Sequence, residues 1–215
     1  MSPQISHAAA VDALVSRDPV IAGLVTAAGP IRMRKSHDSH FAALVRDIVY
    51  QQLAGKAASA IHGRLSAALD DDVTPVALLA LPVDAMRGAG LSANKAASLR
   101  DLAEKVLDGT VVLEPRRLGR ESDEEVVARL TTVRGIGEWT AQMFLMFQLR
   151  RLDVWPTGDL GVRKGYGLAW RVPMPTAREL GPLGDSLRPY RSVAAWYCWR
   201  ACEVYAGAAD SALTR

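Results

Sequence analysis

Two stretches of this chain hold residue types whose spacing suits chemistry. One is Leu130-Thr-Thr-Val-Arg-Gly-Ile-Gly-Glu-Trp-Thr-Ala-Gln142 and the other is Pro156-Thr-Gly-Asp159. The first reads as two helices joined by a tight Gly-x-Gly hairpin. Gly135 and Gly137 are both expected to take backbone angles closed to other residues, with the second helix starting at once at Glu138. A helix leaving such a turn presents backbone N–H groups without partners, which suit a phosphate oxygen. Asp159 then adds a carboxylate a short distance along the chain. A phosphate anchor followed by a lone acid suggests chemistry on a nucleotide.

The elements that position these residues read as helices. Phe41, Leu44, Val45, Ile48, Val49 and Leu53 recur at three- and four-residue steps, and Ile61, Leu65 and Leu69 continue the stripe. Leu99, Leu102, Val106 and Leu107 mark another helix that Gly109 would end. Glu124 to Leu130 leads into the hairpin, Trp139 to Leu149 leaves it, and a tryptophan-rich amphipathic segment runs from about Tyr190 to Tyr205. Only Val111-Val112-Leu113 looks strand-like, and it is too short and isolated to build a sheet. The fold class is all-α. Breaks fall at 70–72, 88–92, 109–119, 155–158 and 172–175, none long enough for a flexible linker.

Composition narrows the class. The chain has 215 residues, enough for one large domain or two small ones, and 49% hydrophobic residues, which excludes wholesale disorder. A net charge of +3 permits a nucleic-acid face without demanding one. Cys198 and Cys202 lie one helical turn apart, a spacing that fits a buried helix face better than a metal site. His37, His40 and His62 form no ligand pattern with them. No segment is long enough to span a bilayer and the start does not read as a signal peptide, so a cytoplasmic protein is expected, nucleoid-associated or nuclear according to its source.

Five stretches together resemble the helix-hairpin-helix DNA glycosylases, most closely their alkylbase branch of the 3-methyladenine DNA glycosylase II type. They are Ile48-Val-Tyr-Gln51-Gln52-Leu, Gly90-Leu-Ser-Ala-Asn-Lys95-Ala, Arg134-Gly-Ile-Gly-Glu-Trp139-Thr-Ala, Asp153-Val-Trp-Pro156-Thr-Gly-Asp159 and Arg188-Pro-Tyr190-Arg191-Ser192-Val-Ala-Ala-Trp196-Tyr-Cys-Trp199. The resemblance implies two helical lobes, residues 40–151 ending in the hairpin and residues 1–39 with 152–215, with DNA and an extruded base in the cleft between them. It implies double-stranded damaged DNA as the partner, a monomer, and no cofactor. It also implies a monovalent cation under the hairpin, at the carbonyls of Thr131, Val133 and Ile136. Family members usually carry proline where this chain has Arg134.

Excising a base from a duplex needs a grip on the backbone, a plug for the gap and a pocket for the base. The hairpin around Arg134, Gly135 and Gly137 is the expected grip, with Lys164 as a further phosphate contact. A helix–helix turn without a ligand is the plainer alternative. Gln52 matches the family's wedge position, with Gln51 beside it; an exposed helix end is the alternative. Trp139, Tyr50 and Trp199 are the pocket candidates, because an aromatic face attracts a cationic alkylated purine. Trp196 is assigned to packing.

Asp159 is the expected catalytic group. Breaking an N-glycosidic bond builds positive charge on the sugar, which a carboxylate stabilises while orienting water. A helix cap at Leu160 is its alternative role, and Asp153 is assigned to structure. Relatives that also cut the strand place a lysine where this chain has Trp139, so a monofunctional enzyme is implied. Two other functions stay open: a glycosylase for deaminated or oxidised bases, and a non-catalytic helix-hairpin-helix DNA-binding protein.

Overall fold

The computed structural model describes residues 5–33 and 36–212, with side chains as far as Tyr205. In chain order the helices are α1 (His7–Val15), α2 (Pro19–Ala28), α3 (His40–Tyr50), α4 (Gly55–Ala68), α5 (Pro75–Ala80), α6 (Val83–Gly88), α7 (Ala93–Leu107), α8 (Pro115–Leu118), α9 (Asp123–Leu130), α10 (Glu138–Met143), α11 (Leu160–Trp170), α12 (Ala177–Leu183) and α13 (Arg191–Ala212). Side-chain oxygens start most of the longer ones. Ser6, Asp18, Ser39, Ser92 and Asp159 each accept a backbone N–H from the first turn, and Ser122 with Glu125 closes a reciprocal box on α9. Each such cap contributes about 1 kcal/mol.

There is no strand among the described residues. The Val111 N–H donates to the Lys105 carbonyl at 2.7 Å, so the apolar run at 111–113 folds back on the end of α7 instead. Two helical expectations need correction. The stripe from Phe41 does not run unbroken into α4: residues 51–54 leave the helix, and Leu53 is 39% exposed. The segment after the hairpin changes to a π-helical turn over Phe144–Gln148, which turns Phe144, Leu145 and Met146 into the core.

The chain divides into two compact units, residues 1–34 with 149–215 and residues 35–148. In the continuous unit, α3 packs on α4 and α7, and α5 and α6 also lie on α7. Leu44, Ile48, Leu65, Leu78, Leu99 and Leu102 are among its fully buried side chains. In the discontinuous unit, α13 packs on α11, α2 and α1. The α11–α13 approach depends on glycine: a Cβ at Gly165 would lie 1.8 Å from the Cys198 carbonyl oxygen.

Asp47 on α3 keeps only 28% of its side chain exposed. Burial raises its carboxyl to about 6, with Arg46 opposing and Asp38 adding to the rise. The folded chain therefore holds this proton more tightly than the unfolded chain does. Stability is greatest below the unfolded value, falls as pH rises through about 6, and then levels off. Asp47→Asn should stabilise the protein at pH 7.5 by on the order of 2 kcal/mol and leave it unchanged near pH 4. Urea unfolding at both pH values checks this; equal effects at both would show that charge is not the cause.

Candidate functional site

The hairpin forms as a Val133-to-Ile136 turn, with the Ile136 N–H donating to the Val133 carbonyl at 3.1 Å. Gly135 takes φ +78, and a Cβ there would meet Ser98 Oγ at 2.6 Å, so this glycine is required twice over. Gly137 is different. Its φ of −92 and ψ of 174 are ordinary extended angles, and a Cβ would meet nothing within 4 Å. The expectation that both glycines need unusual angles is corrected: Gly135 shapes the turn, whereas Gly137 keeps the N-terminus of α10 unobstructed. No side chain caps that N-terminus.

This separates two variants. Gly135→Ala should lower stability by about 1–3 kcal/mol through strain and overpacking. Gly137→Val should fold normally yet weaken binding to damaged and undamaged duplex alike. Thermal melts with filter binding at two salt concentrations decide between them, and a destabilised Gly137→Val would reverse the assignment.

Arg134 is exposed, and its contacts explain why it differs from proline. Its backbone N–H donates to Asp101 Oδ2 at 2.7 Å, a donor that proline lacks. Its guanidinium donates to Asn94 Oδ1 at 3.2 Å. Burial alone would raise the Asp101 carboxyl, but hydrogen bonds from Lys105 and the Arg134 N–H, with both positive charges, hold it below its usual value. The Lys105 ammonium also donates to the Thr132 carbonyl at 2.5 Å. α7 thus presents Asn94, Ser98, Asp101 and Lys105, spaced along one face, to the hairpin. Sequence reading missed this stripe. Its only signal was a polar i, i+4, i+7, i+11 pattern beside an apolar one.

At the end of α3 the two glutamines part company. Gln52 is exposed and sits at φ 56, in the left-handed region. Gln51, expected beside it in the wedge, turns inward instead: its Nε2 donates to the Gly135 carbonyl at 3.0 Å and to Thr140 Oγ1 at 3.2 Å. Tyr50 is 37% exposed and meets the His62 ring edge-on at 6.2 Å. Trp139 is 48% exposed in the first turn of α10.

Asp159 lies in the other unit and is 9% exposed. It caps α11: Oδ1 accepts the Val162 N–H at 2.8 Å. The same oxygen accepts the indole N–H of Trp199 at 2.9 Å. Trp199 is half-buried, and its ring lies against α11 because residue 161 is glycine; a Cβ there would meet the ring at 2.7 Å. The carboxylate is therefore oriented by one backbone and one side-chain donor. The preceding segment is fastened as well. Asp153 receives Arg191 Nε at 2.7 Å and Arg188 at 2.9 Å, and Ser192 bonds to Leu152 and Val154. Asp153 has the structural role expected of it.

Lys164 is exposed on α11. Trp196 is half-buried against Tyr197 and Arg200. Cys198 is fully buried, and burial pushes both thiols up. No group of three or more His, Cys, Asp or Glu is arranged to hold a metal ion among the described residues. No helix among them is long and apolar enough to cross a membrane.

Residues 45–180 match the family described as HhH-GPD superfamily base excision DNA repair protein. The chain belongs to this superfamily. It is 36% identical over 182 residues to DNA-3-methyladenine glycosylase 1 of Schizosaccharomyces pombe, covering 82% of this chain and 79% of that protein. Two solved structures are similar at 33% identity. One is an S. pombe 3-methyladenine DNA glycosylase in complex with abasic DNA, with a TM-score of 0.78 over 90% of this chain and 96% of that one. The other is a DNA-3-methyladenine glycosidase from Bacillus halodurans, with a TM-score of 0.83 over 92% and 91%. For a member of the HhH-GPD superfamily, the geometry above supplies chemically distinct parts: an unobstructed hairpin, an exposed loop residue, exposed aromatic rings and an oriented carboxylate.

Proposed function

We propose that this HhH-GPD protein is a monofunctional DNA glycosylase that removes alkylated purines of the 3-methyladenine and 7-methylguanine type from double-stranded DNA, acting as a monomer. The observation that carries the chemistry is Asp159, a nearly buried carboxylate aimed by the Val162 N–H and the Trp199 indole. As the glycosidic bond lengthens, the sugar becomes cationic, and this fixed negative charge stabilises it without reorganising. A cationic alkylated purine leaves readily, so no second acid is required to protonate it. Trp199 acts through Asp159, as a positioning residue whose indole N–H holds the carboxylate.

The hairpin at Gly135 and Gly137 grips a phosphate, with Arg134 and Lys164 adding charge. Gln52 enters the stack as the plug, and Gln51 braces it. Tyr50 and Trp139 offer exposed aromatic surface to the base, which an indole attracts by up to about 2 kcal/mol when the base is cationic. Relatives named 3-methyladenine glycosylases, one of them solved with abasic DNA, support this substrate class.

Base release from duplexes carrying methylated, deaminated and oxidised bases tests the proposal. Methylated purines should be released fastest. The product strand should stay intact until alkali treatment, and borohydride should trap no adduct, because Trp139 offers no amine. A trapped complex would show that a lysine attacks the sugar, and preferred release of a deaminated or oxidised base would overturn the lesion class.

A further inference from the structure

The loop at residues 51–54 is held in a way that α3 alone does not account for. An α-helix leaves its last carbonyls without partners, and many helices satisfy them through a glycine turn. α3 is closed instead by a side chain from another helix. The Lys95 ammonium on α7 donates to the Val49 and Gln51 carbonyls, both at 2.7 Å. A cation at this end also complements the helix dipole. Beyond it, Gln52 stands in the left-handed region, which costs a non-glycine residue on the order of 1–3 kcal/mol and persists only where surroundings over-determine it. Those surroundings are Lys95 on one side and the Gln51 amide, bonded to Gly135 and Thr140, on the other. The α7 that carries Lys95 also carries Asn94, Ser98, Asp101 and Lys105 against the hairpin.

We propose that Lys95 and Gln51 are positioning residues that lock the plug at Gln52 to the phosphate grip, with α7 as the shared frame. The proposal rests on the glycosylase reading. Phosphate capture at the hairpin and entry of Gln52 into the base stack are then one rigid event. Binding energy gained at the backbone is delivered to the gap left by the extruded base. Without the lock, Gln52 relaxes out of the left-handed region, and the protein holds DNA without keeping the base out.

Lys95→Met removes the two donors while keeping the side chain's length, and Gln51→Leu cuts the link to the hairpin while leaving Lys95 in place. Single-turnover release of 7-methylguanine is measured from two duplexes, one with the lesion paired to cytosine and one with it opposite an abasic site. Extruding an unpaired base costs less, so the second duplex depends less on a plug. Both variants should slow release from the paired duplex at least tenfold and from the unpaired one less than threefold, with binding to undamaged duplex unchanged. A 2-aminopurine beside the lesion should brighten on binding the wild type and stay dim with the variants. Lys95→Arg, which retains donors, should recover most of the paired-duplex rate. Equal loss on both duplexes, or no loss on either, overturns the proposal while leaving the glycosylase reading standing. A wild-type protein that releases no base from either duplex overturns that reading and the lock with it.

Discussion

Asp159→Asn should bind lesion-bearing DNA as tightly as the wild type and release the base a hundredfold to a thousandfold more slowly, a barrier increase of about 3–4 kcal/mol. The substitution is informative because it keeps the local structure. Asparagine retains an oxygen acceptor for the Val162 N–H and for the Trp199 indole, so the cap on α11 and the ring against Gly161 both survive. Only the negative charge of the carboxylate is lost. Single-turnover base release beside a gel-shift titration separates the two effects. Turnover within tenfold of wild type by a folded variant would leave Asp159 as a helix cap and nothing more. Trp199→Phe probes the same arrangement from the other side: it removes one donor to the carboxylate and should slow every lesion by a similar factor.

Gly165→Ala should cause the largest loss of stability among glycine-to-alanine changes in α11. A methyl group at this position would sit 1.8 Å from the Cys198 carbonyl oxygen and 2.9 Å from its Cα, so the two helix backbones must separate. Overpacking of an ordinary core costs about 1–3 kcal/mol and occasionally more. Here the obstacle is backbone rather than a side chain that can turn aside, so the upper end or beyond is expected. For a chain of this size that lowers the melting temperature by roughly 10 °C. Gly63→Ala in α4 is the control. No heavy atom lies within 4 Å of its Cβ position, so relief of helical glycine should leave stability unchanged or raise it by about 0.5–1 kcal/mol. A Gly165→Ala protein melting with the wild type would rule out the close approach of α11 and α13.

Sequence alone made much of this legible, for identifiable reasons. The hairpin, the start of α10 at Glu138 and the cap at Asp159 are local features, written in a few adjacent residues. The helical periods of α3, α7 and α13 are local as well. What could not be read depends on partners far along the chain. Gln51 and Gln52 are chemically identical neighbours, yet one faces a hairpin carbonyl 84 residues away and the other faces solvent. Gly135 and Gly137 look equivalent in a Gly-x-Gly motif, and only Ser98 packed beneath the first distinguishes them. The indole of Trp199 was legible as an aromatic surface but not as a donor to a carboxylate 40 positions earlier. Lys95 stood inside a family-like stretch without a role until the end of α3 was seen to need one.

The fastening of residues 152–159 has a consequence for the order in which the protein is made. Several of its ties come from α13: Arg191 lies 38 residues beyond Asp153, Ser192 lies 38 beyond Val154, and Trp199 lies 40 beyond Asp159. The unit bearing the hairpin is continuous and built largely from neighbouring helices, the kind of topology that folds rapidly and early. On the ribosome, then, a chain that has just exposed Asp159 already carries the whole hairpin unit, while the Trp199 indole that donates to its carboxylate is still to come. That second donor is in place only when α13 emerges and docks. The setting of Asp159 is therefore among the last features of the chain to be completed.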